Sequence, residues 1–466
     1  MNQSPGPYSN LKEILKSAER IKGKTLKEFV PSNVEIRIRN KGSIGNLIET
    51  YGFGIVNNTI AEPDFISERI ELKIIPLEKS GKSLKIKERT KICSINYKTL
   101  PEETWFESHA RSKLNKILFI FTIHHEDPWE TFIMDFMLYS LETDEGILQK
   151  DWLSTYEMVK SGNAHNLSET IANYLSPSRS GSGGKKEDGT PRDLVDQYKN
   201  AQPRALKRAF SLKTSYTNTI FQENIIRKRF TSLSEIDFKG DESYVIPFIL
   251  SKINSFKGQT LKEFALRNNL TLNKGKANTA QLIRASLGLK GKHENVREFR
   301  RIGLKIKVVP INKITLMPYE AMSFPRVKFS EVLSTAFWDS SFLEQIDNIL
   351  VLPISREERN NRGRHEVLEK AFLWRPTREQ LEIIEEEYNL YQKFFIDIQQ
   401  AAIDGLDTNR FWEENFIRSS STKILHMRPH AKNKKDIDDS IQGFAFTKQS
   451  FWLNNRFLQS LIEASR

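Results

Sequence analysis

The sequence has almost no cysteine: Cys93 is the single thiol among 466 residues. That excludes an internal disulfide and a zinc site built from several cysteines. Long apolar runs are also missing, since a stretch such as ILFIFTI at 117–123 is far shorter than the about 20 residues that a membrane-spanning helix needs. The opening MNQSPGPYSN lacks the basic-then-apolar order of a secretory signal. We therefore expect a protein of the reducing cytoplasm without membrane association.

Acidic residues are in deficit. Lys and Arg number 71 against 59 Asp and Glu, which gives a formal net charge of +12. Residues 1–240 hold 36 basic and 31 acidic side chains and the remainder holds 35 and 28, so both halves are basic. This balance favours a polyanionic partner, nucleic acid before membrane. Charge alone leaves open the alternative of a basic soluble protein with no such partner.

The chain repeats itself. Three pairs of markers share nearly one offset: KGKTLKEF at 22–29 with KGQTLKEF at 257–264, Pro76 with Pro310, and LKTSY at 212–216 with TKQSF at 447–451. The period is far longer than a solenoid unit, and the length allows two or three domains. We therefore predict two copies of one globular domain.

The boundary between the copies is predicted near 230–245, where TSLSEIDFKGDES interrupts the apolar rhythm. The predicted domains are residues 1–235 and 236–466. A second irregular stretch, residues 176–193, is rich in Ser, Gly and Lys. Because the marker at 212–216 follows it, we interpret this stretch as a long flexible loop inside the first domain and not as a linker.

Each copy mixes helical and strand patterns, which predicts a mixed α/β fold. Apolar spacing predicts helices over LKEILKSAERI (11–21), more weakly IGNLIETYGFG (44–54), and residues 375–402 with Pro376 near the start. Alternation predicts strands over RIELKIIP (69–76), TKICSINY (90–97) and ILFIFTI (117–123).

Two acids and a lysine converge in PDFISERIELKIIP, residues 63–76. Glu71 and Lys73 share one face of the predicted strand because side chains alternate, and Asp64 lies at the strand's approach. Carboxylates can hold Mg²⁺, the metal can activate water at a phosphate, and a lysine can position or deprotonate that water. The pattern predicts magnesium-dependent phosphodiester cleavage. The alternative is a surface strand with a local ion pair.

The residues around this stretch resemble the MutH family of DNA endonucleases. The matching residues, in chain order, are Gly45, Glu49, Asp64, Phe65, Glu71, Leu72, Lys73, Pro76, Thr104, Trp105, Ser108, His109, Arg111 and Lys113. The resemblance implies that Glu49, Asp64 and Glu71 bind the metal and that Lys73 and Lys113 complete the active site. It also implies the restriction-endonuclease core, a mixed sheet flanked by helices.

The second copy reverses the charge at two of these positions, those of Glu49 and Glu71. The counterparts of Glu49, Asp64, Glu71, Lys73 and Lys113 are, in that order, Arg284, Glu298, Lys305, Lys307 and Gln345. A strand with two lysines repels Mg²⁺ but can hold a DNA phosphate. The layout resembles the two-domain Sau-type restriction endonucleases that cut GATC. That resemblance implies a type II enzyme whose first copy cuts double-stranded DNA and whose second copy binds DNA as an allosteric effector.

A base-reading element is predicted in the second copy. HMRPHAKNK at 426–434 resembles the segment with which the family touches bases. Arg428 suits bidentate recognition of guanine, and His430 and Lys432 are candidates to join it. The alternative for these residues is a basic loop that contacts phosphates only.

The first copy departs from the family pattern in its own reading element. Arg179, in YLSPSRSGSGG, is the residue that we expect to read a base there. The family's segment near the domain end corresponds to FSLKTSY, with Lys213, Ser215 and Tyr216, and we pair it with FTKQSFW, with Lys448, in the second copy. Glu88 in IKERT fits a family glutamate near the DNA interface.

Two other functions fit the same residues. One is a strand-specific nickase of repair, as MutH itself is. The other is a DNA-binding protein that does not cut and binds DNA with both copies. For a restriction enzyme we expect self-association on DNA, because one catalytic domain cuts one strand in each binding event.

Overall fold

The computed structural model describes residues 8–34, 42–55, 62–81, 83–181, 183–184, 186–236, 238–271, 277–358 and 366–466. The chain divides into two compact units, Met1–Phe230 and Thr231–Arg466. Within the described ranges, no helix is both long and apolar enough to cross a membrane.

The first unit alternates short helices with strands. Its α-helices are α1 (Leu11–Ile21), α2 (Ser43–Leu47), α3 (His109–Leu114), α4 (Glu145–Lys160) and α5 (Thr214–Asn224). Its strands are β1 (Glu71–Ser80), β2 (Ser83–Ile86), β3 (Thr90–Ser94), β4 (Lys116–Ile123), β5 (Phe132–Ser140), β6 (Leu175–Arg179), β7 (Leu194–Val195), β8 (Ala205–Leu206) and β9 (Arg208–Leu212). A π-helical turn, Ile48–Gly52, continues α2.

Among the described residues, two main sheets and one two-stranded pair build this unit. The larger has the order β2-β1-β4-β5, in which β1 runs parallel to β4 and the other pairs are antiparallel. The smaller is antiparallel, β3-β9-β6, and β7 pairs with β8. The six middle residues of β4 are all buried, as expected of a strand with neighbours on both sides. Helix α1 buries Ile14, Ala18 and Ile21 in the same core.

The second unit repeats this plan with more α-helices among its described residues. Its α-helices are α6 (Val245–Asn254), α7 (Leu261–Arg267), α8 (Ala277–Leu287), α9 (Arg297–Arg301), α10 (Phe329–Ser334), α11 (Ser341–Ile346), α12 (Arg378–Ile403), α13 (Thr408–Asn415) and α14 (Asn455–Ala464). Its strands are β10 (Leu304–Asn312), β11 (Met322–Arg326), β12 (Asn348–Arg356), β13 (Val367–Leu368), β14 (Phe372–Trp374), β15 (Leu425–Pro429), β16 (Ile437–Ile441), β17 (Phe444–Thr447) and β18 (Gln449–Leu453).

The central strands of the two units correspond in their pairing. Parallel β10 and β12 correspond to β1 and β4, and the antiparallel order β11-β18-β15 corresponds to β3-β9-β6. The mixed α/β fold that the sequence predicts is therefore present twice.

The structure corrects one of the three repeat markers. Lys213 follows the last residue of β9, and the residue in that place after β18 is Asn454. Lys448 precedes β18, as Lys207 precedes β9. The pairing of LKTSY with TKQSF, and of Lys213 with Lys448, was therefore wrong. Five-residue similarities of this kind do not reflect where the strands begin and end.

Most predicted elements are confirmed. Helix α1 covers 11–21, β4 covers 117–123, and α12 starts at Arg378, just after Pro376. The predicted loop at 176–193 was wrong at its start, because residues 176–179 belong to β6. Pro177 and the serines interrupt the apolar alternation that would predict this strand. Strand β6 tolerates the proline because it is an edge strand, paired only with β9 among the described residues.

Candidate active site

Glu71 is the centre of the site in the first unit. It begins β1, and it is buried, with 1% exposed. Its Oε1 accepts hydrogen bonds from Lys73 Nζ at 2.5 Å and from Lys113 Nζ at 2.9 Å, and its Oε2 accepts one from Lys113 Nζ at 3.0 Å. Lys73 shares the strand face with Glu71, whereas Lys113 comes from α3. The parallel pairing of β1 with β4 brings them together because α3 leads directly into β4.

Asp64 lies beside this cluster. The segment after it turns back through Arg69, whose φ is 53°, so that Phe65 pairs with Ile70. Asp64 Oδ2 then accepts a hydrogen bond from the peptide N–H of Leu72 at 2.8 Å. Burial raises the pKa of Asp64 above its ordinary value and the charge of Glu71 raises it further, while the Leu72 N–H opposes the shift.

Glu49 completes the acidic group from the π-helical turn, a distortion that is frequent at functional sites. Its side chain is half-buried. Burial raises the pKa of Glu49, the charges of Asp64 and Glu71 add to that rise, and Lys73 opposes it. The three predicted acids therefore share one electrostatic site with the two predicted lysines.

The donor set fits a hard divalent cation. Among the residues that the structure describes, no three His, Cys, Asp or Glu side chains already stand in an arrangement for holding a metal ion. Burial nevertheless raises the pKa values of Glu49 and Asp64, and neighbouring carboxylates raise them further, so an added positive charge would relieve their repulsion. Oxygen ligands of this kind are those that Mg²⁺ prefers.

Helix α3 is fixed by three residues of the matching pattern, Trp105, Ser108 and Arg111, together with Glu145, which no sequence pattern indicated. Ser108 Oγ caps it by accepting a hydrogen bond from the Arg111 N–H at 3.1 Å. Glu145 Oε1 accepts hydrogen bonds from Arg111 Nε at 2.6 Å and from Trp105 Nε1 at 3.0 Å. Glu145 thus holds the helix that delivers Lys113. Only the fold reveals this, because 34 residues separate Glu145 from Arg111 in the chain.

The second unit places a lysine where the first has its central acid. Lys305 lies opposite Ile349 on β12, as Glu71 lies opposite Ile117 on β4. Lys305 Nζ donates a hydrogen bond to the carbonyl of Gly303 at 3.1 Å. Burial lowers the pKa of Lys305, although the nearby acid Glu344 opposes that shift.

Lys307 occupies the position of Lys73 in the same register. Its Nζ donates a hydrogen bond to the carbonyl of Ser323 at 2.7 Å and lies 5.1 Å from the centre of the Phe324 ring. Burial lowers the pKa of Lys307 to about 8, with a smaller contribution from Lys305.

Glu298 keeps the acidic type of Asp64 but serves another purpose. Its carboxylate accepts hydrogen bonds from Ser232 Oγ at 2.7 Å and from the Leu233 N–H at 3.0 Å. Arg284 lies on α8, and Gln345 is the fifth residue of α11, as Lys113 is of α3. Glu298 is thus hydrogen-bonded to the segment with which the second unit begins.

Arg428 is exposed on β15, and its guanidinium carbon lies 5.2 Å from the centre of the Trp452 ring. His430 follows β15; its ring centre lies 5.4 Å from that of Trp452 and its Nδ1 lies 2.8 Å from Ser450 Oγ. The structure therefore brings these two predicted DNA contacts together around one tryptophan.

Asp436 contacts two further basic side chains and one peptide N–H near β15. Its carboxylate pairs with Lys448 Nζ at 2.7 Å and Arg326 Nη1 at 3.0 Å, and it accepts a hydrogen bond from the Lys432 N–H at 2.9 Å. The bond from Lys448 is the largest of the causes that lower the pKa of Asp436 to about 2. The side chain of Lys432 is exposed.

In the first unit, Arg179 ends β6 and is half-buried. Its N–H donates a hydrogen bond to Glu169 Oε1 at 2.7 Å. Glu169 is buried and also pairs with Arg89 and, at 3.9 Å, with Arg208. Glu88 is exposed in the turn before β3.

The other predicted DNA contacts of the first unit lie deeper. Lys213 and Tyr216 are buried, and Tyr216 donates a hydrogen bond to Asp144 Oδ2 at 2.5 Å. Ser215 is half-buried at the start of α5. Placement thus favours a structural role for Lys213 and Tyr216, and Arg179 is the predicted reader that reaches the surface.

Comparison with known proteins agrees with this geometry. The sequence model described as "DNA mismatch repair enzyme MutH" matches residues 53–151 and again 287–387. The chain is 25% identical to the type II restriction enzyme Sau3AI of Staphylococcus aureus over 91% of this chain and 93% of that enzyme. It is 31% identical to the DNA mismatch repair protein MutH of Vibrio vulnificus over 45% of this chain and 92% of the relative, and 28% identical to that of Shewanella oneidensis over 47% and 96%.

The two matched segments fall on the two copies of the site. The first includes Asp64, Glu71, Lys73 and Lys113, and the second includes the lysines of β10. The MutH relatives cover about one copy each, whereas the similarity to the restriction enzyme runs through both. The chain therefore belongs to the MutH family, of which it carries two tandem copies, and is a site-specific deoxyribonuclease.

Proposed function

We propose that this chain is a type II restriction endonuclease that hydrolyses double-stranded DNA at 5′-GATC-3′ with Mg²⁺. In this proposal residues 1–235 cut, and residues 236–466 bind a second DNA site as an effector. The observation that carries it is the pairing of Glu71 with two lysines beside two further acids, at the strand position where the other copy has Lys305. Similarity to a restriction enzyme along nearly the whole chain supports the same division.

Asp64 and Glu71, with Glu49 beside them, would hold the Mg²⁺ ion. When bound, Mg²⁺ activates water and neutralises the charge that builds on the phosphate. Lys73 Nζ, 2.5 Å from Glu71, is placed to hold the attacking water or to accept its proton. Lys113 Nζ contacts both oxygens of Glu71, so it orients that carboxylate and can contact a phosphate oxygen at the same point.

The second copy supplies binding without cleavage. A lysine at the register of Glu71 removes the central metal ligand, and Glu298 is engaged by Ser232 and Leu233. Lys305 and Lys307 are then suited to a DNA phosphate. Arg428, presented over Trp452, is suited to read a guanine edge, with His430 at the same ring. Lys432 and Lys448, both held at Asp436, are further candidates to contact DNA.

Double-strand cleavage by one catalytic copy requires two chains on the DNA, so we propose self-association there. We also place the enzyme in the cytoplasm. The effector role requires a coupling free energy between the two DNA sites. It predicts that a short GATC duplex, added in trans, accelerates cleavage of a plasmid with a single GATC site, whereas a duplex of scrambled sequence does not.

The decisive experiment is digestion of a sequenced plasmid with and without Mg²⁺, followed by sequencing of the ends. Linear fragments that all begin at GATC in the presence of Mg²⁺ are the expected result. Nicks confined to unmethylated DNA would select the repair nickase instead. Binding without any strand break would select the DNA-binding protein that does not cut. Fast cleavage of a one-site plasmid by an enforced monomer would contradict self-association.

A further inference from the structure

Each copy buries a carboxylate that the proposed chemistry does not use. In the first copy it is Asp151 on α4, 6% exposed. Its oxygens accept hydrogen bonds from the peptide N–H groups of Asn173 at 3.0 Å, Tyr174 at 2.6 Å and Leu175 at 2.9 Å. Leu175 is the first residue of β6, so Asp151 grips the start of the strand that ends in Arg179.

The second copy has the same arrangement. Glu387 on α12 is also 6% exposed, and its oxygens accept hydrogen bonds from the N–H groups of Lys423, of Ile424 at 3.2 Å and of Leu425 at 2.6 Å. Leu425 is the first residue of β15, the strand that carries Arg428.

The two carboxylates occupy equivalent places. Leu175 pairs with Leu212 at the end of β9, and Leu425 pairs with Leu453 at the end of β18. The metal-site residues differ between the copies, yet a buried acid has been kept at this point in both. Burying a charge is unfavourable unless hydrogen bonds satisfy it, so a purely apolar contact would serve packing more simply. The arrangement therefore favours a role that the two copies still share.

Both strands are also held further along. In the first copy the N–H of Arg179 donates to the buried Glu169 at 2.7 Å. In the second, the N–H of Met427 donates to the Tyr391 hydroxyl at 2.9 Å, and Tyr391 lies on α12 with Glu387. A strand fixed at two points cannot slide or tilt freely. The backbone of the arginine that the strand carries is therefore held in a defined position.

We propose that Asp151 and Glu387 are positioning residues for DNA recognition, each of which fixes the strand that presents the base-reading arginine, Arg179 and Arg428 respectively. This inference rests on the proposed function, because it assumes that both arginines read DNA. A bidentate contact with a guanine edge depends on geometry, so a displaced strand loses discrimination between bases before it loses phosphate contacts.

The test substitutes each acid by its amide in the full chain. An amide at this point offers one acceptor oxygen and turns an NH₂ group toward N–H donors, so the start of the strand must shift. Asp151→Asn should lower the ratio of kcat/KM for GATC to that for single-base variants of the site by about tenfold, in the range that one well-formed base contact contributes. Glu387→Gln should leave that ratio unchanged and lower the second copy's preference for GATC over the same variants in competition binding.

Matched controls separate positioning from folding. Glu157→Gln on α4 and Glu386→Gln on α12 change exposed acids of the same helices and should change neither ratio. A smaller folded fraction lowers the rates on all sites equally and leaves a ratio unaltered. Asp151→Glu keeps the carboxylate, which is the natural choice in the second copy, and should restore part of the discrimination. It also provides the test if Asp151→Asn does not fold.

Unaltered ratios in both amide variants would overturn the proposal. Discrimination is measured in binding without Mg²⁺ as well as in cleavage, so the inference is decided even for a protein that does not cut. A wild-type chain that binds GATC selectively but never cleaves it would contradict the proposed nuclease. The positioning role of Asp151 and Glu387 would then be decided by the ratios of binding affinity for GATC and its single-base variants.

Discussion

Lys305 occupies the position on β10 that Glu71 occupies on β1. Each residue lies opposite an isoleucine of the parallel partner strand, Ile349 and Ile117 respectively. In the first copy the central charge is negative and two lysines surround it. In the second copy the central residue is a lysine, whose pKa is lowered by burial while the nearby Glu344 opposes that shift. The exchange of Glu71 for Lys305 is therefore the central one of several substitutions that separate a site suited to a cation from one suited to a phosphate.

Lys113→Met should abolish cleavage and spare DNA binding. Methionine keeps most of the unbranched side chain but cannot donate the hydrogen bonds to both oxygens of Glu71. We expect single-turnover cleavage at saturating DNA to fall by about 10²-fold or more, the range for loss of a positioned catalytic group. Lys79→Met, which changes an exposed lysine of β1, is the control. Comparable cleavage by the two variants would show that Lys113 has no part in the reaction.

Lys305→Ala should leave cleavage at saturating DNA intact and weaken DNA affinity. If the lysine meets one phosphate, the slope of log affinity against log salt should become shallower by about 1. Fluorescence anisotropy across a salt series measures this, with Lys305→Arg as the charge-keeping control. A loss of cleavage as deep as that of Lys73→Ala at saturating DNA would contradict the division of roles between the copies.

Lys305→Glu should not create a second cutting site. The acid in the place of Asp64 is Glu298, and its carboxylate is already bound to Ser232 and Leu233. Restoring a single ligand therefore does not restore the donor set. A Lys73→Ala, Lys305→Glu double variant should remain inert with Mg²⁺. Recovery of cleavage in that variant would refute this assignment.

Asp64→Asn should stabilise the metal-free protein at neutral pH while it abolishes cleavage. The pKa of Asp64 is raised in the folded state, so the folded protein binds its proton more tightly than the unfolded chain does. Stability therefore falls as the pH rises from the ordinary carboxyl pKa through the raised one, and the ionised acid is destabilising at neutral pH. The amide mimics the protonated form. Thermal unfolding in chelator should show a higher Tm, by about 2–4 °C for each kcal/mol of repulsion removed.

Mg²⁺ should reverse the order of Tm between the wild type and Asp64→Asn. A ligand that binds the folded state alone raises Tm, so the wild type should gain stability with Mg²⁺ and Asp64→Asn should gain less. Glu49→Gln should behave in the same way, because burial and the charges of Asp64 and Glu71 raise the pKa of Glu49. Cleavage by the wild type should decline as the pH falls into the range just above the ordinary carboxyl values. Equal Mg²⁺ stabilisation of all three proteins would place the ion elsewhere.

Arg428→Ala should weaken binding by the second copy and relax its base preference. A bidentate arginine contributes about 1–3 kcal/mol of discrimination at its base pair. Competition binding with single-base variants of GATC measures this in a chain whose first copy carries Lys73→Ala. Arg418→Ala, an exposed arginine of the same unit, is the control. Uniform weakening on every sequence would assign Arg428 to the phosphate backbone instead.

Much of the cutting site could be read from the sequence because strand alternation is local. The spacing of Glu71 and Lys73 places both on one face of β1 whatever surrounds them. Apolar periodicity likewise fixed α1 and β4 to within a residue. Alternation could not reveal β6, where Pro177 and the serines hide an edge strand. It also could not supply the correct partner of Lys213, because strand ends follow from pairing and not from short matches.

The amino-acid order by itself determined the duplication, the elements of each copy and the residues able to hold a cation or a phosphate, since these follow from short-range patterns and side-chain type. Only the tertiary structure decided which of them meet. The parallel pairing of β1 with β4 delivers Lys113 to Glu71 across 42 residues of chain, and Glu145 fixes the helix that does so. The tertiary structure also places Glu298 against Ser232 and buries Tyr216 against Asp144. Distances between residues far apart in sequence depend on how sheets and helices pack, and no local pattern encodes that packing.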